Sequence, residues 1–214
     1  MTTDSPDSGE GVIKFGLSFR PASPPRHRGL LQLEGWRRIF FRMGLIGRNP
    51  DRYGGLAYGN VSLRTGARRF LVSGTQTGGF PRLTAAEYAR VESWDLPANH
   101  IRAAGAIRPS SEALSHAALY QANRVIGCVI HVHCPELWLA AVQERLPIPV
   151  TPTELTYGTA ELAAALQDLA GVSGAAVICM GGHQDGLLAY GMKPDDAASE
   201  LLRLLAAALA ADWS

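Results

Sequence analysis

The chain has 214 residues, of which 47% are hydrophobic and 18% charged. That is enough apolar matter for a real core and too much for a disordered polymer. Twenty Lys and Arg against nineteen Asp and Glu give a net charge of +1, which argues against a chain built mainly to grip nucleic acid or an anionic membrane.

Residues 1–28 read as a flexible leader. MTTDSPDSGE is polar and lacks the basic and apolar regions of a signal peptide. PASPPRHR at 21–28 carries three prolines, which fix φ and remove donors. An apolar touch point is expected at Val12–Phe15. From about Leu30 to Leu45 the spacing predicts a helix, with Leu30, Leu33, Trp36, Ile39, Phe40 and Met43 on one stripe. Gly44 and Gly47 end it. The Gly-rich stretch 51–80 predicts a hairpin with strands at Val61–Arg64 and Arg69–Ser73. Thr84 and Glu87 have the spacing of a capping box. Strands follow at Tyr88–Trp94 and Asn99–Ala103.

Pro109-Ser110-Ser111-Glu112 opens a helix to about Asn123. Val125–Val132 is a continuous apolar run suited to a buried strand. A helix from Pro135 to about Gln143, a short strand at Ile148–Thr151 and a helix at Thr159–Leu169 capped by Gly171 come next. Gly174–Met180 and Leu187–Tyr190 read as strands, and Pro194–Ala210 as a final helix with Asp195 and Asp196 in its first turn. Helices and strands are interspersed, so the class is α/β or α+β in one layered unit. Cys128, Cys134 and Cys179 are odd in number and form no CxxC pair. A reducing compartment without disulfides is expected. The most apolar run, Leu204 to Ala211, falls short of the roughly 18 residues of a membrane span. A cytoplasmic protein without a membrane partner is the expectation.

Three pieces carry candidate chemistry. In His131-Val132-His133 the alternation of a strand puts both imidazoles on one face, where they can converge on a metal. Cys134 falls on the opposite face. His183 sits in Gly181-Gly182-His183-Gln184-Asp185-Gly186, just after a buried strand. Glu112 lies in the first turn of its helix. Alone, each has a plainer reading: polar strand ends, a turn histidine, a partner of the helix dipole. Together, three histidines and a carboxylate would suit Zn²⁺ or a neighbouring divalent ion. His116 shares the helix face of Glu112 and reads as a buried, hydrogen-bonded histidine.

Asn60 in GNVSLR, Ser73-Gly74 in FLVSGTQTGG, PSSE at 109–112 followed by His116, HVHCP at 131–135 and the GH…GLLAYG stretch at 182–191 occur in that order. Over roughly residues 30–210 the chain resembles the class II aldolase/adducin family. The resemblance implies a three-layer α/β/α domain over residues 29–214 with a mostly antiparallel central sheet, assembled as a homotetramer with sites between subunits. It implies His131, His133 and His183 as ligands of a divalent metal, Zn²⁺ before Mn²⁺ or Co²⁺, and Glu112 as catalytic acid/base. It implies Asn60, Ser73, Gly74, Ser110 and Ser111 as a pocket for a phosphate or carboxylate. Backbone N–H groups at a Gly turn and a helix N-terminus fit such a pocket. The implied activity is a lyase, working through an enediolate, on a small hydroxy-carbonyl or sugar-phosphate compound. Epimerases, dehydratases, decarboxylases and non-catalytic adducin-type interaction proteins share the family. Two departures stand out. The family's aldolases lend a neighbouring subunit a tyrosine acid from a longer segment after the HxH helix; here RLPIPVTPTELTYGT is short and Tyr157 is shifted. The third-histidine motif usually reads HG, and here Gln184 and Asp185 intervene.

Overall fold

The structure is a computed structural model and describes residues 12–170 and 175–211. In chain order the elements are β1 (Gly16–Pro21), α1 (Gly29–Arg42), β2 (Gly47–Arg48), β3 (Ala57–Tyr58), β4 (Asn60–Gly66), β5 (Arg69–Ser73), β6 (Tyr88–Asp95) and β7 (His100–Gly105). They continue with α2 (Ala113–Ala122), β8 (Cys128–His133), α3 (Pro135–Val142), α4 (Ala160–Leu169), β9 (Ala175–Cys179), β10 (Gly186–Gly191) and α5 (Pro194–Ala211). One eight-stranded sheet runs in the order β1-β7-β6-β5-β4-β8-β10-β9, and β2 pairs with β3 apart from it.

The sheet is mixed: the expected antiparallel pairings are joined by one parallel pairing at an edge, so it is not antiparallel throughout. β1 lies parallel to β7, from Gly16 opposite His100 to Pro21 opposite Gly105. The other pairings in the sheet are antiparallel. The parallel strand comes from the stretch expected to be a flexible leader. No proline lies between Pro6 and Pro21, so Gly16–Pro21 is free to extend at a sheet edge, where one row of donors faces away. Phe15, just before it, is buried.

Helices cover both faces. On one, Leu33 and Phe40 of α1, Leu137 of α3 and Leu201 of α5 pack over Val61, Ile130, Val132 and Leu187. On the other, Leu114 and Ala117 of α2 and Leu162 and Leu166 of α4 pack over Phe70, Val129, Ile178 and Leu188. The period of two decides which side chains meet which helices. In β8, Cys128, Ile130 and Val132 go to the first cluster and Val129 to the second. The odd-numbered His131 and His133 therefore face α2.

Three further expectations shift. The α1 stripe buries Leu30, Leu33 and Phe40 as expected, but Arg37 is buried with them while Ile39 and Met43 are exposed. Ile148–Thr151 makes a single parallel bridge between Val150 and Cys179 rather than a strand, since Pro147, Pro149 and Pro152 remove ladder donors. The second helix begins at Ala113, with Glu112 as its N-cap residue. The capping box at Thr84 and Glu87 forms, on a single 3₁₀ turn. Gly171 and Gly174 lie outside the described residues. Cys128, Cys134 and Cys179 are free and buried, and no helix among the described residues is long and apolar enough to cross a membrane.

Candidate metal centre and adjoining pocket

β8 lies between β4 and β10, with Asn60 opposite His131 on one side and Gly186 opposite His133 on the other. Both imidazoles are buried. His131 Nδ1 lies 3.1 Å from the Leu187 carbonyl, and donating a proton there leaves the Nε2 lone pair for another partner. His133 Nε2 is 3.2 Å from His131 Nε2.

His183 arrives from the turn between β9 and β10. Gly181 donates its N–H to Thr151 Oγ1 at 3.0 Å. A Cβ on Gly181 would run into the Thr151 carbonyl, and one on Gly182 into the Leu155 carbonyl. The two glycines thus let the turn press against the 151–155 segment and carry the His183 ring inward. The ligand nitrogens of His131, His133 and His183 lie within 4.8 Å of one another. Four-coordinate zinc, with Zn–N bonds near 2.0–2.1 Å, spaces two ligand nitrogens by about 3.3 Å. The His131–His133 separation matches that span, so the donor set fits a divalent cation.

Burial dominates the electrostatics. It pushes the His131 imidazole down to about 4, against a smaller upward pull from the Leu187 carbonyl. Burial also holds His133 well below its ordinary range, helped by His183, His131 and Arg52. His183 is lowered likewise, with smaller contributions from His131 and Lys14. At neutral pH all three rings are uncharged, the form that binds a metal. Glu112 is buried beside them, with Oε1 3.6 Å from His183 Nε2 and Oε2 accepting from Ser115 Oγ at 3.2 Å.

Asn60, Gly74, Ser110 and Ser111 line one small hollow, together with Gln76 and Thr77. Asn60 Oδ1 is buried there with no hydrogen-bond partner among the described residues. Ser110 Oγ accepts the Glu112 N–H at 3.2 Å. Ser73 does not join the lining. Its Oγ accepts the Val61 N–H at 3.1 Å, and its carbonyl accepts the Ser110 N–H at 3.1 Å. It ties β5 to the hollow from behind.

Two groups escape a reading of the sequence. Gln76, at φ 59°, accepts the Ala57 N–H with Oε1 at 3.0 Å, and Thr77 Oγ1 donates to the Gly74 carbonyl at 2.7 Å. The Thr-Gln-Thr-Gly-Gly run was the available signal. Arg52 and Tyr53 form the second group. Both donate to Asp185 Oδ2, at 2.9 and 2.7 Å, and the Tyr53 ring stands edge-on to His133 with centroids 4.5 Å apart. The inserted Asp185 thus braces a tyrosine against a histidine of the cluster. Tyr157 is also close, its ring 5.2 Å from that of His183 between centroids.

The α/β domain thus gathers three buried imidazoles and a carboxylate beside the end of β8, a donor set that fits a divalent cation. Residues 51–210 match the family model for the class II aldolase and adducin N-terminal domain, and the chain belongs to that family. No curated protein sequence matches significantly. Among solved structures, YgbL from Klebsiella pneumoniae, described as a candidate aldolase/epimerase/decarboxylase, is 20% identical with a TM-score of 0.64, over 85% of this chain and 86% of that one. L-fuculose-1-phosphate aldolase from Thermus thermophilus is 22% identical with a TM-score of 0.56, over 86% and 90%. A sugar-phosphate aldolase from Thermotoga maritima is 14% identical with a TM-score of 0.60, over 83% and 90%. At these identities the likeness is one of fold.

Proposed function

We propose that the protein is a divalent-metal-dependent lyase acting on a small hydroxy-carbonyl compound, with His131, His133 and His183 as the metal ligands. The observation that carries this reading is the meeting of His183 with the HVH pair, within 4.8 Å between ligand atoms, beside Glu112. A non-catalytic interaction protein has no use for that combination. Zn²⁺ suits three neutral nitrogens, and Mn²⁺ or Co²⁺ are the alternatives.

Bound there, the ion supplies Lewis acidity toward a carbonyl or hydroxyl oxygen. The protein's own groups do the rest. Glu112, desolvated next to the cluster, takes the proton released as the substrate loses a bond beside its carbonyl, and returns it later. Ser115 donates to its other oxygen and fixes the carboxylate plane. Asn60, Gly74, Ser110 and Ser111 receive the polar end of the substrate with neutral donors. Ser73 supports that pocket rather than lining it. A carbonyl-stabilised anion is common to aldol cleavage, epimerisation, dehydration and decarboxylation, so the bond that breaks depends on what the pocket admits. We place the working form as a cytoplasmic homo-oligomer, most simply a tetramer.

Metal analysis of the purified protein beside His131→Ala and His183→Ala tests the reading. About one divalent ion per chain is expected in the wild type and much less in either variant; equal metal in all three ends the hypothesis. Incubating the Zn²⁺-, Mn²⁺- and Co²⁺-loaded forms with hydroxy-carbonyl compounds of each reaction class then identifies the chemistry.

A further inference from the structure

The stretch before β1 packs against Tyr157, whose ring neighbours His183. Val12 donates its N–H to the Tyr157 hydroxyl at 3.2 Å. Gly16 donates to the Asn99 carbonyl at 2.8 Å, and Asn99 Nδ2 reaches back to the Lys14 carbonyl at 3.4 Å. Phe15 is buried in the same apolar cluster as Tyr157. Between these anchors Lys14 places Nζ 4.2 Å from the centroid of the Tyr157 ring, and that ring rests against His183. The close approach depends on Gly158, at φ +76°, where a Cβ would stand 3.1 Å from Lys14 Cβ.

Charge makes the position informative. Arg52, the cation beside His133, is engaged with Asp185 at 2.9 Å. The hollow at Asn60 and Ser111 contains no charged side chain. Lys14 has no carboxylate partner among the described residues; its ammonium is held on an aromatic face, an exchangeable contact. An ammonium kept uncommitted beside a buried site is suited to receiving an anion brought in by a ligand. Lys14 lies outside residues 51–210, the part that matches the family model.

We infer that Lys14 is a specificity-determining residue that recognises an anionic group, a phosphate or a carboxylate, on the substrate held at the three-histidine site. The inference rests on the metal-centre reading above and extends it to the substrate class. Lys14 exchanges its contact with the Tyr157 face for an ion pair with the anion.

Three metal-chelating probes test it by calorimetry on the zinc-loaded protein: neutral glycolohydroxamate, its phosphate ester and the carboxylate-bearing malonohydroxamate. The wild type is expected to favour at least one anionic probe over the neutral one by about tenfold or more. Lys14→Met is expected to erase that preference and Lys14→Arg to retain most of it. The probe whose advantage disappears tells phosphate from carboxylate. If Lys14→Met keeps the full preference, or the wild type has none, the role of Lys14 is overturned while the metal centre stands. If the wild type holds no zinc, the reading of the centre fails and this inference goes with it. Zinc content of each variant, measured in parallel, separates these results.

Discussion

The Tyr53 hydroxyl donates to Asp185 Oδ2 across 2.7 Å, joining the loop before β3 to the turn that carries His183. Arg52 donates to the same oxygen, and Tyr53 leans its ring on His133. Burial, with the Asp185 carboxylate adding to it, drives the Tyr53 phenol far above its ordinary range. It stays a donor at any working pH. One carboxylate thus orders two donors and, through Tyr53, the edge of the His133 ring.

Asp185→Ala leaves the Arg52 and Tyr53 donors without their acceptor and is expected to cost about 1–3 kcal/mol of stability. Because Tyr53 then loses its hold beside His133, zinc affinity should fall roughly tenfold. Tyr53→Phe breaks the same hydrogen bond but leaves the Arg52–Asp185 pair in place, so its zinc affinity should also fall, with a smaller loss of stability. Chelator competition reads both. An Asp185→Ala protein with undiminished zinc affinity would show that the Tyr53 brace does not act on the centre.

Glu112→Gln separates metal holding from turnover. The amide keeps the size and one acceptor but cannot take a proton at neutral pH. Zinc should remain near wild-type content, while kcat falls by about 10²–10⁴. Retained turnover would remove Glu112 from the acid/base role. Loss of zinc together with turnover would instead make the carboxylate a ligand.

His116 provides a measurable pH dependence. It is fully buried, its Nδ1 2.6 Å from Ser62 Oγ, which in turn lies 2.7 Å from the Tyr120 hydroxyl. Burial first, and His131 second, hold its imidazole well below the ordinary range. The folded protein therefore keeps it neutral where the unfolded chain protonates it. Stability from this group is complete above the unfolded value near 6.5 and declines as pH falls below it. His116→Asn, whose amide can still reach Ser62, should flatten the decline in urea stability between pH 7 and 5 by up to about 1.4 kcal/mol per pH unit. The three cluster histidines add to the slope in both proteins, so the difference reports His116 alone. Identical slopes would mean that the ring is protonated in the folded state.

Short-range patterns carried much of this into the sequence. The HVH pair was legible because a strand's period of two needs only three adjacent residues. The helix at Ser110–Glu112 was legible from its starters. His183 was different: nothing local distinguishes it from a turn histidine, and only the ordered set of motifs singled it out. Arg52 and Tyr53 escaped because their partner Asp185 is 133 and 132 residues away, a distance no local pattern spans. β1 escaped because the nearby prolines marked the whole leader as irregular, while its pairing with β7 is made by backbone groups that any extended segment offers. Ser73 has its place in a motif, yet its hydroxyl is used by the Val61 amide.

Arg37 shows the same limit in the core and gives the sharpest stability prediction. The apolar stripe read from the sequence of α1 does not include it, but it is 1% exposed. Its Nε and Nη2 bond Glu34 at 2.6 and 2.8 Å, and Nη1 donates to the Phe80 carbonyl at 3.0 Å. Glu34 also accepts from the Leu83 N–H at 2.8 Å and from the Tyr88 hydroxyl at 3.1 Å. The carboxylate is therefore the hub between α1, the 80–83 loop and β6. Removing only the cation strands a largely buried carboxylate, so Arg37→Met should cost about 3–5 kcal/mol. Replacing Glu34 with Gln in the same protein removes that stranded charge, keeps acceptors for Leu83 and Tyr88, and should recover part of the loss. Urea unfolding of the single and double variants decides between this account and simple packing. If the double variant is no more stable than Arg37→Met, the cost comes from the lost guanidinium contacts and not from the carboxylate it leaves behind.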